Sequence, residues 1–142
     1  MKASLRIIVL GLAVLLLSGC AVAAMPRVTI GGQAVDAYLA DTMAKRSEGL
    51  AGFDGLADGE ALVFVYPDER VRTFGMKDVG FPIDVVFIGV DNTVTAIVPL
   101  YVGDTRKIQS PGPSRYVLEL PQGWASAHDI AVGSAFTYDV GR

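Results

Sequence analysis

The sequence predicts a mainly β domain, a compact antiparallel β-sandwich or barrel of about eight short strands with one short α-helix. Three observations predict it. Short runs alternate between apolar and polar residues, as in residues 35–40, where Val35, Ala37 and Leu39 share one face and Asp36, Tyr38 and Ala40 the other. Clusters of Gly, Pro, Asp and Asn separate these runs at close intervals. Only one stretch, residues 42–48, combines helical spacing with helix start and stop signals. Many short strands and many turns close most simply as a sandwich or a barrel.

Of the 142 residues, the first nineteen read as an export signal, residues 1–19. Lys2 and Arg6 precede an apolar run over residues 7–17, followed by the small residues Ser18 and Gly19. That run is shorter than the roughly 20 residues a membrane-crossing helix needs. Leu17-Ser18-Gly19-Cys20 resembles the lipobox of bacterial lipoproteins, in which the cysteine becomes the lipidated first residue. Cys20 is the only cysteine of the chain, so no disulfide is expected. Cleavage after Val22-Ala23-Ala24, releasing a soluble chain, is the alternative. Lipidation would tether a domain over residues 27–142 to a membrane through residues 20–26, with several acyl chains giving stable anchoring. Ala21 after the cysteine resembles the outer-membrane sorting pattern, facing the periplasm in a Gram-negative cell. Loss of Lys2 and Arg6 takes the net charge from −3 to −5, and no basic run remains. Nucleic acid is therefore not an expected partner, because phosphate binding needs clustered Lys and Arg.

The strands follow in order. Residues 28–30 and 35–40 read as two strands around Gly31-Gly32. Asp41 is the expected N-cap of the helix over 42–48, with Met43, Ser47 and Leu50 on one face. Lys45 and Arg46 fall in its last turn, where positive charge suits the helix dipole, and Gly49 ends it. Residues 52–60 hold three glycines and three acids and read as successive turns. Residues 61–66 are apolar on both faces, which predicts an interior strand. Pro67 to Arg70 then reads as a turn and 71–74 as a short strand. Phe74 to Val90 is the most informative stretch: a loop bearing Met76, Lys77, Asp78 and Asp84, interrupted by Gly and Pro, runs into an unbroken apolar strand. The strands over 85–90 and 93–98 flank Asp91-Asn92 as a hairpin. Residues 100–107 are ambiguous, and 110–114 form a Pro- and Gly-rich surface loop. Residues 115–120 are a strand with Tyr116, Leu118 and Leu120 on one face and Val117 and Glu119 on the other. One helical turn over 124–130 and a last strand over 134–140 complete the domain.

In this order and spacing the chain resembles the domain of unknown function 192 family of bacteria and archaea. The matching residues are Arg46 with Gly49-Leu50, Gly59 with Leu62-Val63-Phe64, and Phe74 with Met76-Lys77. Pro82-Ile83-Asp84 with the apolar run to Ile88 follows, then Tyr116-Val117-Leu118-Glu119-Leu120 with Gly123. The resemblance implies a compact β-rich fold, often exported or lipid-anchored, and no established activity. The chain departs from the family pattern at Ala51 and at Glu60-Ala61, where methionine is usual. It departs again at Gly75, where tryptophan is usual, and at Asp78, where asparagine is.

Arg46, Lys77, Asp84 and Glu119 come from separate elements and are the candidate ligand-binding residues. Glu119 interrupts an apolar strand, and a buried carboxyl needs either a partner or a proton. Arg46 and Lys77 are its candidate partners; a simple salt bridge or a solvated strand face is the structural alternative. Asp84, at the mouth of the central strand, suits the stabilisation of a turn. Asp84 and Glu119 could also form an acid–base pair, provided that they share one cleft. Arg46 is most simply a helix C-terminal charge, and Lys77, on a glycine-rich loop, is the candidate best placed for direct ligand contact.

Other familiar constellations are missing from the sequence. His128 is the sole histidine and reads as a surface residue near a turn, with no serine set up for a triad. No ligand-spaced pair suggests a metal, and no phosphate cradle or other cofactor motif is present. Met76 reads as core. Trp124 reads as core or rim packing, with stacking on a sugar as its alternative. Two functions stay open. One is an envelope-anchored binding or accessory module for a small polar or anionic ligand or a protein partner. The other is a cell-envelope hydrolase or lyase acting on glycans through Asp84 and Glu119.

Overall fold

The structure, a computed structural model, describes residues 25–139. The export signal, Cys20 and most of the expected tether lie outside the described residues. Nine strands and two short helices make a mainly β domain around one curled seven-stranded sheet. In chain order these are β1 (Arg27–Ile30), β2 (Gln33–Ala40), α1 (Met43–Glu48), β3 (Glu60–Arg70), β4 (Thr73–Phe74), β5 (Ile83–Ile88) and β6 (Val94–Leu100). Then come β7 (Ile108–Gln109), β8 (Ser114–Pro121), α2 (Trp124–Ala127) and β9 (Phe136–Tyr138). The large sheet runs β6-β5-β8-β3-β2-β1-β9, and β4 pairs with β7 in a second, two-stranded sheet.

The curl is visible in the side chains. Tyr116 on β8 stacks on Tyr138 of β9 at 5.0 Å between ring centroids, although β3, β2 and β1 lie between those strands in the sheet. A bridge between Thr93 and Ala135 then joins the two edges at one end. The concave core gathers Val28, Ile30, Val35, Val63, Val86, Leu118, Leu120, Trp124 and Phe136. A second core covers the other face, with Leu50, Leu62, Phe64, Phe74, Met76, Val85, Phe87 and Val117. Apolar burial of this extent on both faces, at about 25 cal/mol per Å², is the main stabilising term. It also explains β5, whose six residues are all buried and which, from Val85 onward, reads as an unbroken apolar run.

The sheet is mixed rather than purely antiparallel. β2 and β3 run parallel, with Tyr38 opposite Leu62 and Ala40 opposite Phe64. A parallel pair needs a crossover, and residues 41–59 supply it over the convex face. A second crossover positions the site. β3 and β5 both pair antiparallel with β8, which lies between them, so the chain from Arg70 to Ile83 has to cross β8. It does so on the convex face, carrying β4, Met76 and Lys77 over Glu119.

Several local expectations change. Thr42, not Asp41, caps α1: its hydroxyl accepts from the Lys45 N–H at 3.2 Å, while Asp41 pairs with the Lys45 ammonium at 3.0 Å. Helix α1 buries none of its residues, and Met43 is 80% exposed; of the expected face only Leu50, beyond the helix, is core. Pro67 to Arg70 is not a turn. β3 continues through it, with a register shift between Val65 and Arg70 against β8 that accommodates a residue lacking an N–H. The β5–β6 hairpin is closed by Gly89 N–H to the Thr93 carbonyl at 2.8 Å, with Asn92 alone at positive φ, so its loop is longer than Asp91-Asn92. The helical turn after Gly123 is present as α2, and the Gly31-Gly32 turn has positive φ at both residues, as hairpin geometry requires.

Candidate functional site

The crossover over β8 leaves a pocket of about 370 Å³ beneath it. Strand alternation decides its floor. Leu118 and Leu120 turn into the concave core, so Val117 and Glu119 face the convex side, where the pocket lies. Phe64, Phe74, Leu50 and Val79 give it apolar walls, Tyr66 an aromatic one, and Arg46 and Lys77 line it from α1 and the crossover.

Glu119 is 3% exposed, and its Oε2 has no hydrogen-bond partner. The expected ion pair to Arg46 or Lys77 is not formed. Without a nearby counter-charge, burial alone acts on the carboxyl and pushes its pKa up to about 8. At neutral pH Glu119 is thus mostly the neutral acid, with an O–H to donate.

Arg46, on α1, is held by two backbone carbonyls. Its Nη1 donates to the Asp41 carbonyl at 2.8 Å and to the Val65 carbonyl at 2.9 Å, and the guanidinium lies 5.1 Å from the centre of the Tyr66 ring. Those bonds use one nitrogen of a group with five N–H donors. Arg72 stacks on the same ring at 3.7 Å and is itself fixed by the Ser114 carbonyl at 2.9 Å and Asp68 at 2.7 Å. The Tyr66 phenol is raised above its ordinary pKa by burial first; Arg72 and Arg46 oppose the shift and Glu119 adds to it. Tyr66 therefore stays protonated, with two cations near its ring, and forms one wall of the pocket.

Lys77 is the exposed contrast. Its side chain is 85% exposed and its ammonium is 4.0 Å from Asp78, at the outer limit of an ion pair. Met76, next to it, is buried in the convex core as expected. At Gly75 the Lys107 side chain fills the space a larger residue would take: a Cβ there would come within 2.9 Å of the Lys107 Nζ and 3.2 Å of the Arg106 carbonyl. The absence of a side chain at Gly75, which lines the pocket, thus leaves room for the Lys107 cation beside it.

Asp84 is not part of this pocket. It pairs with Leu120 across β5 and β8 and shares that residue's concave face, whereas Glu119 pairs with Val85. The Asp84 Oδ2 accepts from the Gly123 N–H at 2.8 Å and so holds the turn that starts α2. Burial raises its pKa, and the N–H groups of Gly123 and Ala125 pull it back. The turn-stabilising role holds, and an acid–base pair of Asp84 with Glu119 in one cleft is ruled out by register.

Tyr66 was the residue that sequence reasoning missed. Its only signal was its position at the end of the interior strand, just before Pro67. A second hollow of about 360 Å³ is lined by Asp58, Gln122, Trp124 and His128. There the His128 ring stacks on Trp124 at 4.1 Å and its Nδ1 meets the Trp124 carbonyl at 2.9 Å. His128 is therefore half-buried packing rather than a free surface group, and Trp124 is core. Among the described residues no three His, Cys, Asp or Glu cluster as metal ligands would.

Comparison with known proteins places this geometry in a family. The model of DUF192, described as an "Uncharacterized ACR", matches residues 26–138. A crystal structure of a protein of unknown function from Novosphingobium aromaticivorans DSM 12444 is similar at 29% identity, covering 79% of this chain and 84% of that one, with a TM-score of 0.74. One from Sinorhizobium meliloti 1021, named as a proposed transcription regulator, is similar at 26% identity, covering 78% and 91%, with a TM-score of 0.72. No curated protein matches the chain.

Proposed function

The chain belongs to the DUF192 family, and we propose that it is an envelope-anchored binding module whose pocket above β8 takes a small anionic ligand. The observation that carries this reading is Glu119: a carboxyl almost wholly removed from water, without a hydrogen-bond partner at Oε2, on the floor of an open pocket. Leaving such a group unpaired costs about 1–3 kcal/mol. A fold that needed only to be stable would place leucine or valine there, as at its neighbours Val117 and Leu118.

Arg46 is the half-buried, fixed charge of the lining and favours an anion; exposed Lys77 is offset by exposed Glu48 and Asp78, Lys107 lies beside Gly75, and the apolar walls suit the body of a small organic molecule. The export signal and the Leu17-Ser18-Gly19-Cys20 motif support an envelope location. No catalytic role is proposed: the pocket lining holds no histidine, and its other carboxyls, Glu48 and Asp78, are exposed to solvent.

The test is calorimetric titration of the purified full-length chain with acetate, butyrate, benzoate and phenyl phosphate. The reading expects saturable binding of the larger anions and protection of Arg46 and Lys77 from chemical labelling. Absence of binding across the panel, with labelling unchanged, would overturn it.

A further inference from the structure

We propose that the ligand presents an oxyanion to Glu119 and binds as an acid–anion pair, the Glu119 carboxylic acid donating its O–H to a ligand oxygen. The inference rests on the binding reading above and adds the ligand's chemical group and the proton that its binding requires.

The surroundings of Glu119 carry it. On β8's two flanks the ladder neighbours are Leu62 and Val85, which offer no side-chain polar group. From α1 the pocket receives Arg46 and Glu48; from the crossover, Lys77 and Asp78; from β3, the Tyr66 ring, with Arg72 stacked on it; and at the Gly75 rim, Lys107. No cation among the described residues comes within ion-pair distance of the Glu119 carboxyl. A buried carboxyl with no counter-charge keeps its proton, and the burial here raises its pKa accordingly. The resulting O–H has no acceptor among the described residues, and a ligand oxygen in the pocket can supply one.

The alternative, a ligand ammonium salt-bridged to an ionised Glu119, fits less well. It would first have to remove the proton, and it would then hold a positive charge against Arg46, with Lys77 and Lys107 at the mouth. An oxyanion meets none of these costs. Its charge faces the guanidinium, whose Nη1 is occupied but whose other donors are not used by the Asp41 and Val65 carbonyls. Its remaining oxygen accepts from Glu119. Hydrogen bonds of the O–H to O⁻ kind are short and roughly twice as strong as neutral ones.

The direction of the pH dependence follows. The anion binds the protonated form and stabilises it, so bound Glu119 holds its proton to higher pH than free Glu119. Affinity is then level below about pH 8. Above it, affinity falls by about tenfold per pH unit as the free site ionises.

The experiment is titration of the full-length chain with benzoate and with phenyl phosphate from pH 6.5 to about pH 9.5, each in two buffers of different ionisation enthalpy. The expected result is a level Kd up to about pH 8 and a weakening beyond it. Near pH 9 about one proton is taken up per anion bound, and near pH 6.5 none beyond the ligand's own titration. In Glu119→Gln the amide N–H replaces the O–H, so binding persists and the fall above pH 8 disappears. The wild-type profile decides the matter by itself if that variant does not fold. Preference for benzoate assigns a carboxylate and preference for phenyl phosphate a phosphate ester. Binding that is level through pH 9.5, or that strengthens as pH rises, would overturn the acid–anion pair while leaving the binding reading intact. No binding of any anion would overturn both.

Discussion

Asp84 and Glu119 lie one register step apart on paired strands, yet their carboxyl groups leave the sheet on opposite faces. β5 and β8 align Asp84 with Leu120 and Val85 with Glu119, so the sheet itself separates the two acids. The same chemical group then meets opposite conditions. On the concave side Asp84 accepts an N–H from Gly123; on the convex side Glu119 Oε2 accepts nothing from the protein. One acid holds a turn of the structure, and the other is the group that the proposed ligand would meet.

Removal of the Asp84 carboxyl should therefore cost stability and not binding. Asp84→Ala strands the Gly123 N–H and empties a site that is 5% exposed, which is expected to cost about 1–3 kcal/mol. Asp84→Asn keeps one acceptor and should cost less. Urea melts would measure both. Unchanged melts, together with a loss of benzoate binding, would show that the division of labour between the two faces is wrong.

Glu119 should make the domain less stable as pH rises. Its folded pKa of about 8 exceeds the ordinary value of 4.5, so the folded state binds the extra proton between those two values. Stability is then highest below about pH 4.5, as far as this group is concerned, falls through the interval, and levels off above about pH 8, for a total on the order of a few kcal/mol. Glu119→Leu, which suits the apolar walls, should remove this slope and raise the melting temperature at pH 8. The check is a set of urea melts of both proteins from pH 5 to 9, and parallel profiles would sink the assignment.

Much of this was legible in the sequence because β structure leaves a period-two mark. The strand pairs around Gly31-Gly32 and around Asp91-Asn92, and the two faces of residues 115–120, follow from alternation and turn chemistry alone. Glu119 was visible as an anomaly for the same reason. That it stays unpaired was not visible, because strand order is a long-range property: nothing local says that β8 lies between β3 and β5, and it is this order that sends Lys77 across Glu119 without pairing them. The proline-containing end of β3 misled for a related reason. Pro67 forbids a ladder bond, but a register shift removes the need for one, and the shift depends on β8. Met43 misled because a two-turn helix over a sheet can be held by its flanking loop; Leu50 packs, and the helix itself does not.

The proposed envelope anchoring would depend on Cys20, whose thiol is the group able to form a thioether to lipid. Cys20→Ser should move the protein from the membrane fraction to the soluble one. It should leave anion binding by the domain unchanged, because Arg46, Tyr66 and Glu119 all belong to elements after Ala40. Detergent-phase partitioning and fractionation would read the first expectation. Equal membrane content in both proteins would exclude the lipid anchor.

Arg46 and Lys77 line the same pocket but should not contribute equally. Arg46 is half-buried, pinned through Nη1 by two carbonyls and seated near the Tyr66 ring, so its charge is pre-positioned and partly shielded from solvent. Lys77 is 85% exposed, with only a 4.0 Å contact to Asp78. A charge on a free side chain in water interacts weakly and is screened within about 8 Å at physiological salt. Arg46→Ala is thus expected to weaken benzoate binding by about tenfold or more, in line with a charged hydrogen bond of roughly 1.5–3 kcal/mol. The same variant loses the bonds to Asp41 and Val65, so its stability should be measured alongside; Arg46→Lys keeps the charge but not the fork and should fall between. Lys77→Ala should cost only about two- to threefold at low salt, and nothing at about 0.5 M salt, where the Debye length is only a few Å. Titrations at both salt concentrations separate the roles. If Lys77→Ala proves the more damaging variant at high salt, the ligand sits at the rim of the pocket rather than on its floor beside Glu119.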